Sequence, residues 1–313
     1  MTASKQKLVS MLTYMRPAYS ITEQIFCEKY LLPIFGEPDE HGNYIKVIGD
    51  RPNIAFTAHT DTVHKMEGIQ KLSISNDVVT TMTGSCLGAD CTTGVWLLLG
   101  MIEAGVEGVY IAHAAEEIGG VGSTNLVKDY PAWLIEIDAV ISFDRFDTCS
   151  IITHQGGMRT ASDDFAKSLA GALELPQLKP DSYGTYTDSM EYAEIVSECT
   201  NISVGYYNQH TAKESQDLEY AEMLLERLIE ADWSALVFSR DPTVVEYTEG
   251  SVGRYSESVE DDAEVAKIWK LLLDRPSEVA DLLYSYGFTM DDMCDELDLD
   301  LIDRSFYTDV ATY

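Results

Sequence analysis

Six side chains of the kinds that hold divalent metals, His59, Asp61, Asp90, Glu117, Asp144 and His210, are spread over 152 positions of the chain, most of them where an apolar run ends. Imidazole and carboxylate together suit zinc, and also manganese or cobalt. Two histidines and three carboxylates can hold two ions about 3.5–4 Å apart if one carboxylate bridges them. Glu116, beside Glu117, is then left unligated. From there it would take a proton from a water whose pKa a metal lowers towards ~7. Taken alone, the Glu116-Glu117 pair fits two readings. It is either a solvated strand exit, or two repelling carboxylates compensated by a metal ion or a shared proton.

Chemistry at these positions needs elements that bring them together. Leu8, Met11, Leu12 and Met15 keep helical spacing up to Pro17, and Ser20 with Glu23 is a capping-box signature opening a second helix towards Leu32. Asp39-Glu40-His41-Gly42-Asn43 is turn chemistry before a strand over 44–48. The runs 53–58, 108–112 and 139–143 are buried strands that deliver His59-Thr60-Asp61, Glu116-Glu117 and Asp144-Arg145. Residues 149–153 read as a strand neighbouring 139–143, and 201–205 as a last short strand ending near His210. Helices are expected over 95–103, 162–173 and 218–238. Strands alternating with helices predict an α/β fold, a mainly parallel mixed sheet sandwiched between helices. Ligands of such sheets sit beyond the carboxyl ends of the strands.

Composition narrows the function classes. The chain has 313 residues, 53 acids and 21 bases, a formal charge of −32. Such a surface repels nucleic acid and anionic membranes, so neither is expected as a partner. No stretch approaches the roughly 18 apolar residues of a membrane span. The six cysteines are scattered, without metal-type pairing, which suits a reducing compartment and a cytoplasmic location. Residues 241–313 carry 19 acids, 5 bases and no histidine, with helical patterns over 262–273, 276–286 and 290–297. We expect a catalytic domain over 1–240 and an acidic helical appendage over 241–313, either a solvated subdomain or a partner-binding module.

His59-Thr60-Asp61, Gly88-Ala89-Asp90-x-x-x-Gly94, Glu116-Glu117-x-Gly119, Asp144 and His210-Thr211-x-x-Glu214 stand in the order and context of the di-zinc exopeptidase superfamily. That group includes zinc aminopeptidases, carboxypeptidase-G-like enzymes, peptidase T and acetylornithine-deacetylase-like amidohydrolases. Asp39-x-x-Gly42-Asn43 also resembles a turn of that family, and the resemblance covers roughly residues 5–235. It implies that Asp90 bridges two metals, zinc in first place. His59 and Asp144 would complete one position, Glu117 and His210 the other. Asp61 would accept from the His59 ring and fix its tautomer. Glu116 would be the general base, later returning the proton to the leaving amine.

Two departures from the family stand out. Cys91 occupies a position where the family usually has aspartate, and the resemblance implies a cis Asp90–Cys91 peptide. Cys91 would either tune the metal or fill space. Only 65 residues separate Asp144 from His210, too few for the dimerising lid of two-domain members, so the chain resembles the lidless form. A homo-oligomer would therefore not form through a lid, and a tyrosine would supply the oxyanion donor, with Tyr183, Tyr186 and Tyr207 as candidates. Arg145 would pair with an acid of the site or bind a substrate carboxylate. Asp188 would recognise a substrate amino group or cap local structure.

The resulting expectation is a di-zinc metallo-exopeptidase of aminopeptidase or dipeptidase type. It would cleave a terminal peptide bond with metal-bound hydroxide and a glutamate base. A deacylase of N-acyl amino acids, using the same machinery, is the alternative. A catalytically silent binding protein on the same fold would be expected to lack the base or ligands, and all are present here. Gly120-Val121-Gly122 lacks the third glycine of a dinucleotide fingerprint.

Overall fold

Seven strands make the main sheet: Tyr44–Ile48 (β1), Ile54–His59 (β2), Gly108–His113 (β3), Ala139–Arg145 (β4), Ser150–Ile152 (β5), Lys179–Asp181 (β6) and Glu198–Ser203 (β7). They were traced in a computed structural model that describes residues 1–129 and 131–247. The chain divides into two units, Met1–Thr248 and Glu249–Tyr313. The three helical patterns expected between 262 and 297, and Cys294, lie outside the described residues.

The spatial order is β6-β5-β7-β4-β2-β3-β1. β7, β4, β2 and β3 run parallel at the centre, β1 is antiparallel to β3, and β5 is antiparallel to β7. Every residue of β2, β3 and β7 is buried, which a strand tolerates only with cover on both faces. Residue parity assigns the faces. Phe56, Ala58, Tyr110, Ala112, Ile141 and Phe143 join one core, with Leu8 and Met11 of helix Ala3–Met11 (α1) and Phe26 of helix Ile21–Tyr30 (α2). Helices Ala89–Ala104 (α3), Asp163–Ala172 (α5) and Leu218–Glu230 (α6) contribute to the same core. Ala55, Val109, Ile111 and Val140 point the other way, onto Leu126 of helix Val121–Asp129 (α4) and onto Tyr192. Each fully buried large apolar side chain contributes roughly 1.5–3 kcal/mol, so the two cores hold the sheet rigid.

The apolar helix expected from residue 95 continues back past a kink at Asp90 and Cys91, whose backbones are not helical, to Ala89, and all residues from Ala89 to Leu99 are buried. It lies unusually close to the sheet. A Cβ on Gly94 would fall 2.3 Å from the Phe143 carbonyl oxygen and 2.5 Å from Cys91 Sγ.

Some expectations shift. The strand at 150–152 does not neighbour β4, because β7 lies between them. Alternation alone gives no spatial order, and β7 is drawn inside by its burial on both faces. The last helix ends at Glu230, followed by a short 3-10 turn over Trp233–Ala235. The capping box is half made: Ser20 Oγ accepts from Glu23 N at 3.1 Å, while the Glu23 carboxylate accepts from Tyr19 N and the Thr60 hydroxyl instead of Ser20 N.

A small antiparallel sheet joins Tyr206–Tyr207, Ser215–Asp217, Val78–Thr81 and Leu72–Ser75, in that order. It brackets the loop that carries His210. No helix of the described residues is long and apolar enough to cross a membrane.

Candidate metal centre

Register brings the first candidate ligands together. Thr57 of β2 pairs with Ser142 of β4, and two residues further along each strand stand His59 and Asp144. Thr60 N then donates to the His113 carbonyl at 2.8 Å, which prolongs the ladder to β3. Beyond β3, Ala115 takes the left-handed conformation at φ 58°, a strained setting for a residue with a side chain, and Glu116 and Glu117 follow. Asp61 fixes that corner. Its carboxylate, fully buried, accepts from Glu116 N and Glu117 N, both at 3.1 Å. It also lies 3.2 Å from His59 Nδ1, which turns Nε2 towards the centre.

Asp90 stands between the two imidazoles. Its Oδ1 is 3.0 Å from His59 Nε2 and its Oδ2 is 3.1 Å from His210 Nε2. Asp144 Oδ1 lies 3.5 Å from His59 Nε2, and Glu117 Oε1 lies 3.4 Å from His210 Nε2. Glu116 approaches His59 Nε2 only to 3.9 Å. The Asp90–Cys91 peptide is cis, as the resemblance implied.

The surrounding bonds hold these groups in place. Asn201 clamps the Asp144 backbone, accepting from its N–H at 2.9 Å and donating to its carbonyl at 2.7 Å. Thr187 Oγ1 donates to Asp144 Oδ2 at 2.8 Å. Glu214, 1% exposed, accepts from the backbone N–H groups of Leu87, Gly88, Ala89 and Asp90 at 2.8–3.2 Å. It ties the His210 loop to the start of α3.

So many buried acids need compensating charge. Burial, with the Asp90 charge, pushes Asp144 up to about 7, and burial raises Glu116 and Glu117 as well. Burial also opposes charge on Asp90, but donation from His210 and His59 carries it below the carboxylate range. Hydrogen bonds to Asp90 and Glu117 raise His210 to about 11. Imidazole and carboxylate donors of this kind fit divalent cations. Glu117 Oε1 is buried and faces His210 Nε2 at 3.4 Å without a well-formed hydrogen bond. The ligand atoms of Asp90, Glu117 and His210 lie within 4.8 Å of one another, as do those of His59, Cys91 and Asp144. Cys91 Sγ donates to the Phe143 carbonyl at 3.2 Å and burial raises its thiol well above the usual range, so it is a packed, neutral group.

A cleft of about 90 Å³ opens onto these carboxylates, and Arg145, Tyr186 and Tyr206 line it with them. Of the tyrosine candidates only Tyr186 is in the wall; Tyr183 is 84% exposed and Tyr207 points out of the cleft. Tyr206, which the sequence reading passed over, donates to Asp144 Oδ1 at 3.4 Å. The Tyr186 hydroxyl fills the space where Gly120 (φ 61°) would carry a Cβ, 1.6 Å from such an atom. That glycine makes room for a phenol.

Arg145 pairs with Asp181 at 3.3 Å and with none of the carboxylates of the centre. Asp188 is 1% exposed, caps nothing, has neither oxygen hydrogen-bonded, and is pushed by burial up to about 8. The other histidines are structural. His113 bridges Asn43 and Tyr192, His64 joins Thr62 to the Cys86 carbonyl, His154 meets Thr153, and His41 pairs with Asp129. Asn201, Thr187 and Glu214 gave little signal of their own, although Glu214 stands in the terminal motif.

No protein-family model and no curated protein matches the sequence. Solved structures do match. Aminopeptidase PepT from Bacillus cereus is 14% identical, with a TM-score of 0.56 over 72% of this chain and 97% of that one. The TET1 peptidase of Pyrococcus horikoshii, which can assemble into a tetrahedron or a large octahedral shell, is 15% identical. Its TM-score is 0.57 over 73% of this chain and 99% of that one. A tripeptidase from Staphylococcus aureus is 13% identical, with a TM-score of 0.57 over 72% and 97%. The chain shares the fold of these peptidases, a mixed α/β architecture around a mostly parallel sheet.

Proposed function

We propose that this chain is a metal-dependent amide hydrolase that cleaves a terminal peptide bond, in the manner of an aminopeptidase or dipeptidase. The observation that carries the proposal is Asp90, whose two oxygens face His59 and His210 with Asp144 and Glu117 alongside. Two ions, zinc by the donor set, would be held by His59, Asp90 and Asp144 and by Asp90, Glu117 and His210. When bound they supply Lewis acidity, which polarises a carbonyl and acidifies water.

The protein does the rest. Glu116 is not needed as a ligand, and its carboxylate, whose proton affinity burial raises, accepts a proton from water and returns it to the leaving amine. Asp61 holds the Glu116 and Glu117 backbones at the fixed angle that this shuttle requires. Tyr186, in the cleft wall with its hydroxyl held against Gly120, is the candidate donor to the developing oxyanion. Residues 1–240 would suffice as the catalytic domain. The fold is shared with peptidases described as assemblies, so self-association belongs to the same proposal and is read by light scattering.

Metal analysis of the purified chain, with turnover of aminoacyl anilides, dipeptides and N-acyl amino acids, tests this reading. Glu116→Gln is expected to keep its metal and to lose about 10²–10⁴-fold in kcat. Turnover of N-acyl compounds alone would transfer the proposal to the deacylase alternative, and less than about one metal per chain under zinc supplementation would end it.

A further inference from the structure

Arg145 follows Asp144 and lines the same cleft, yet it makes no ion pair with Asp90, Glu116, Glu117 or Asp144. Its guanidinium is fixed rather than free. One terminal nitrogen donates to Asp181 Oδ2 at 3.3 Å and to the Tyr183 carbonyl at 3.1 Å, and the group lies 4.1 Å over the Phe146 ring. The side chain is 10% exposed, and its Nε is buried with no partner. A buried, charged N–H without an acceptor is costly and rare in a folded protein. Asp181 also accepts from Ser150 Oγ and Tyr183 N at 2.8 and 2.9 Å, which fixes its carboxylate beside one terminal nitrogen and away from Nε.

Gln155 stands in the same wall with the complementary vacancy. Its Nε2 donates to Thr160, to Ser189 and to the Cys199 carbonyl, an acceptor only, so the orientation of the amide is fixed. Its Oε1 is left buried and without a partner. The wall therefore offers one cationic donor and one neutral acceptor. That is the complement of a carboxylate with an amide N–H close by. Among the described Lys and Arg residues, Arg145 alone lines this cleft, whose other charged groups include Asp90, Glu116, Glu117 and Asp144.

We infer that Arg145 is a specificity-determining residue that binds a substrate carboxylate, with Gln155 accepting a neighbouring N–H. The preferred substrates are then small amides that carry a free carboxylate. The inference rests on the amide-hydrolase reading and names its substrate class. The carboxylate can belong to the end of a dipeptide, to an N-acyl amino acid, or to an acidic side chain.

Three matched pairs separate these sources on the metal-loaded full chain: leucyl-leucine and its amide, N-acetyl-leucine and its amide, and glutamyl- and glutaminyl-4-nitroanilide. In one pair the acid is expected to exceed its neutral partner in kcat/KM by about 10–100-fold, mostly through KM, the range of a charge-assisted hydrogen bond. In Arg145→Gln that ratio falls to near one. Gln155→Glu, which sets a second negative charge in the wall, lowers it in the same direction and stands in should Arg145→Gln not fold. Equal turnover within every pair overturns the inference, as does a ratio that survives Arg145→Gln. Calorimetric binding of the same six compounds to Glu116→Gln keeps the two readings apart. A preference for the acid there, without turnover by the parent chain, supports the carboxylate site and overturns the hydrolase; no preference in binding overturns the carboxylate site.

Discussion

On one side of Asp90, His59 and Asp144 stand at the ends of paired parallel strands, with side chains 1% and 8% exposed. The ring nitrogen of His59 away from the centre is held by Asp61, and Asp144 is held by Asn201 and Thr187. On the other side, His210 comes from a loop, has a left-handed backbone at φ 62°, and its side chain is 47% exposed. Its loop is moored through Glu214, four residues on, instead of by sheet hydrogen bonds. The donor chemistry is alike and the foundations differ. An inner position built on strands is organised before any ion arrives. On the proposed reading, an outer position on a loop would complete its geometry as an ion binds, and its histidine is the more exposed of the two.

The strongest perturbation removes what the two sides share. Asp90→Asn is expected to empty both positions, with metal content near zero and turnover below detection by elemental analysis and a peptide assay. A finer cut compares the histidines. His59→Ala should lose both ions, whereas His210→Ala should keep about one ion per chain, because the inner donors remain in place. Equal losses in the two variants would break the asymmetry. Glu214→Gln puts an amide donor against four backbone donors. It should weaken the outer ion by about 10–100-fold and leave the inner ion unaffected, as a metal titration would show.

The smallest effect is a proton count. With its pKa raised to about 11, metal-free His210 is protonated at neutral pH, and only the neutral ring can bind a metal. Ion binding at the outer position should therefore release a proton. Its affinity should rise with pH and fall by up to about tenfold for each unit of acidification below the His210 pKa. Calorimetry in two buffers of different ionisation enthalpy measures the proton released.

The candidate ligands were legible because most of them stand at or just beyond the ends of apolar runs. β2, β3 and β4 announce themselves by composition, and the candidate residues His59, Asp144 and, a few positions past β3, Glu116 and Glu117 follow from where they end. The order of strands was not legible. The insertion of β7 between β4 and β5 depends on packing of both faces, which neither periodicity nor length reports. The tyrosines show a related limit. Tyr206 and Tyr207 are equivalent in sequence, and only the parity of their short strand turns Tyr206 into the cleft and Tyr207 out of it. Glu23 was read as a helix cap but accepts from Thr60 beneath His59, since a short-range motif cannot register a partner 37 residues away.

Gly94 has no part in the chemistry, yet it sets a dimension. With nothing larger than hydrogen on its α-carbon, α3 lies against the Phe143 carbonyl, one residue before Asp144 and four residues after Asp90 on the helix side. The separation between the Asp90 and Asp144 carboxylates is thus gauged from below, by the thickness of the layer between helix and strand. A single methyl group at residue 94 would act as a shim. It would widen the seat by lifting its floor, while every ligand kept its chemical identity.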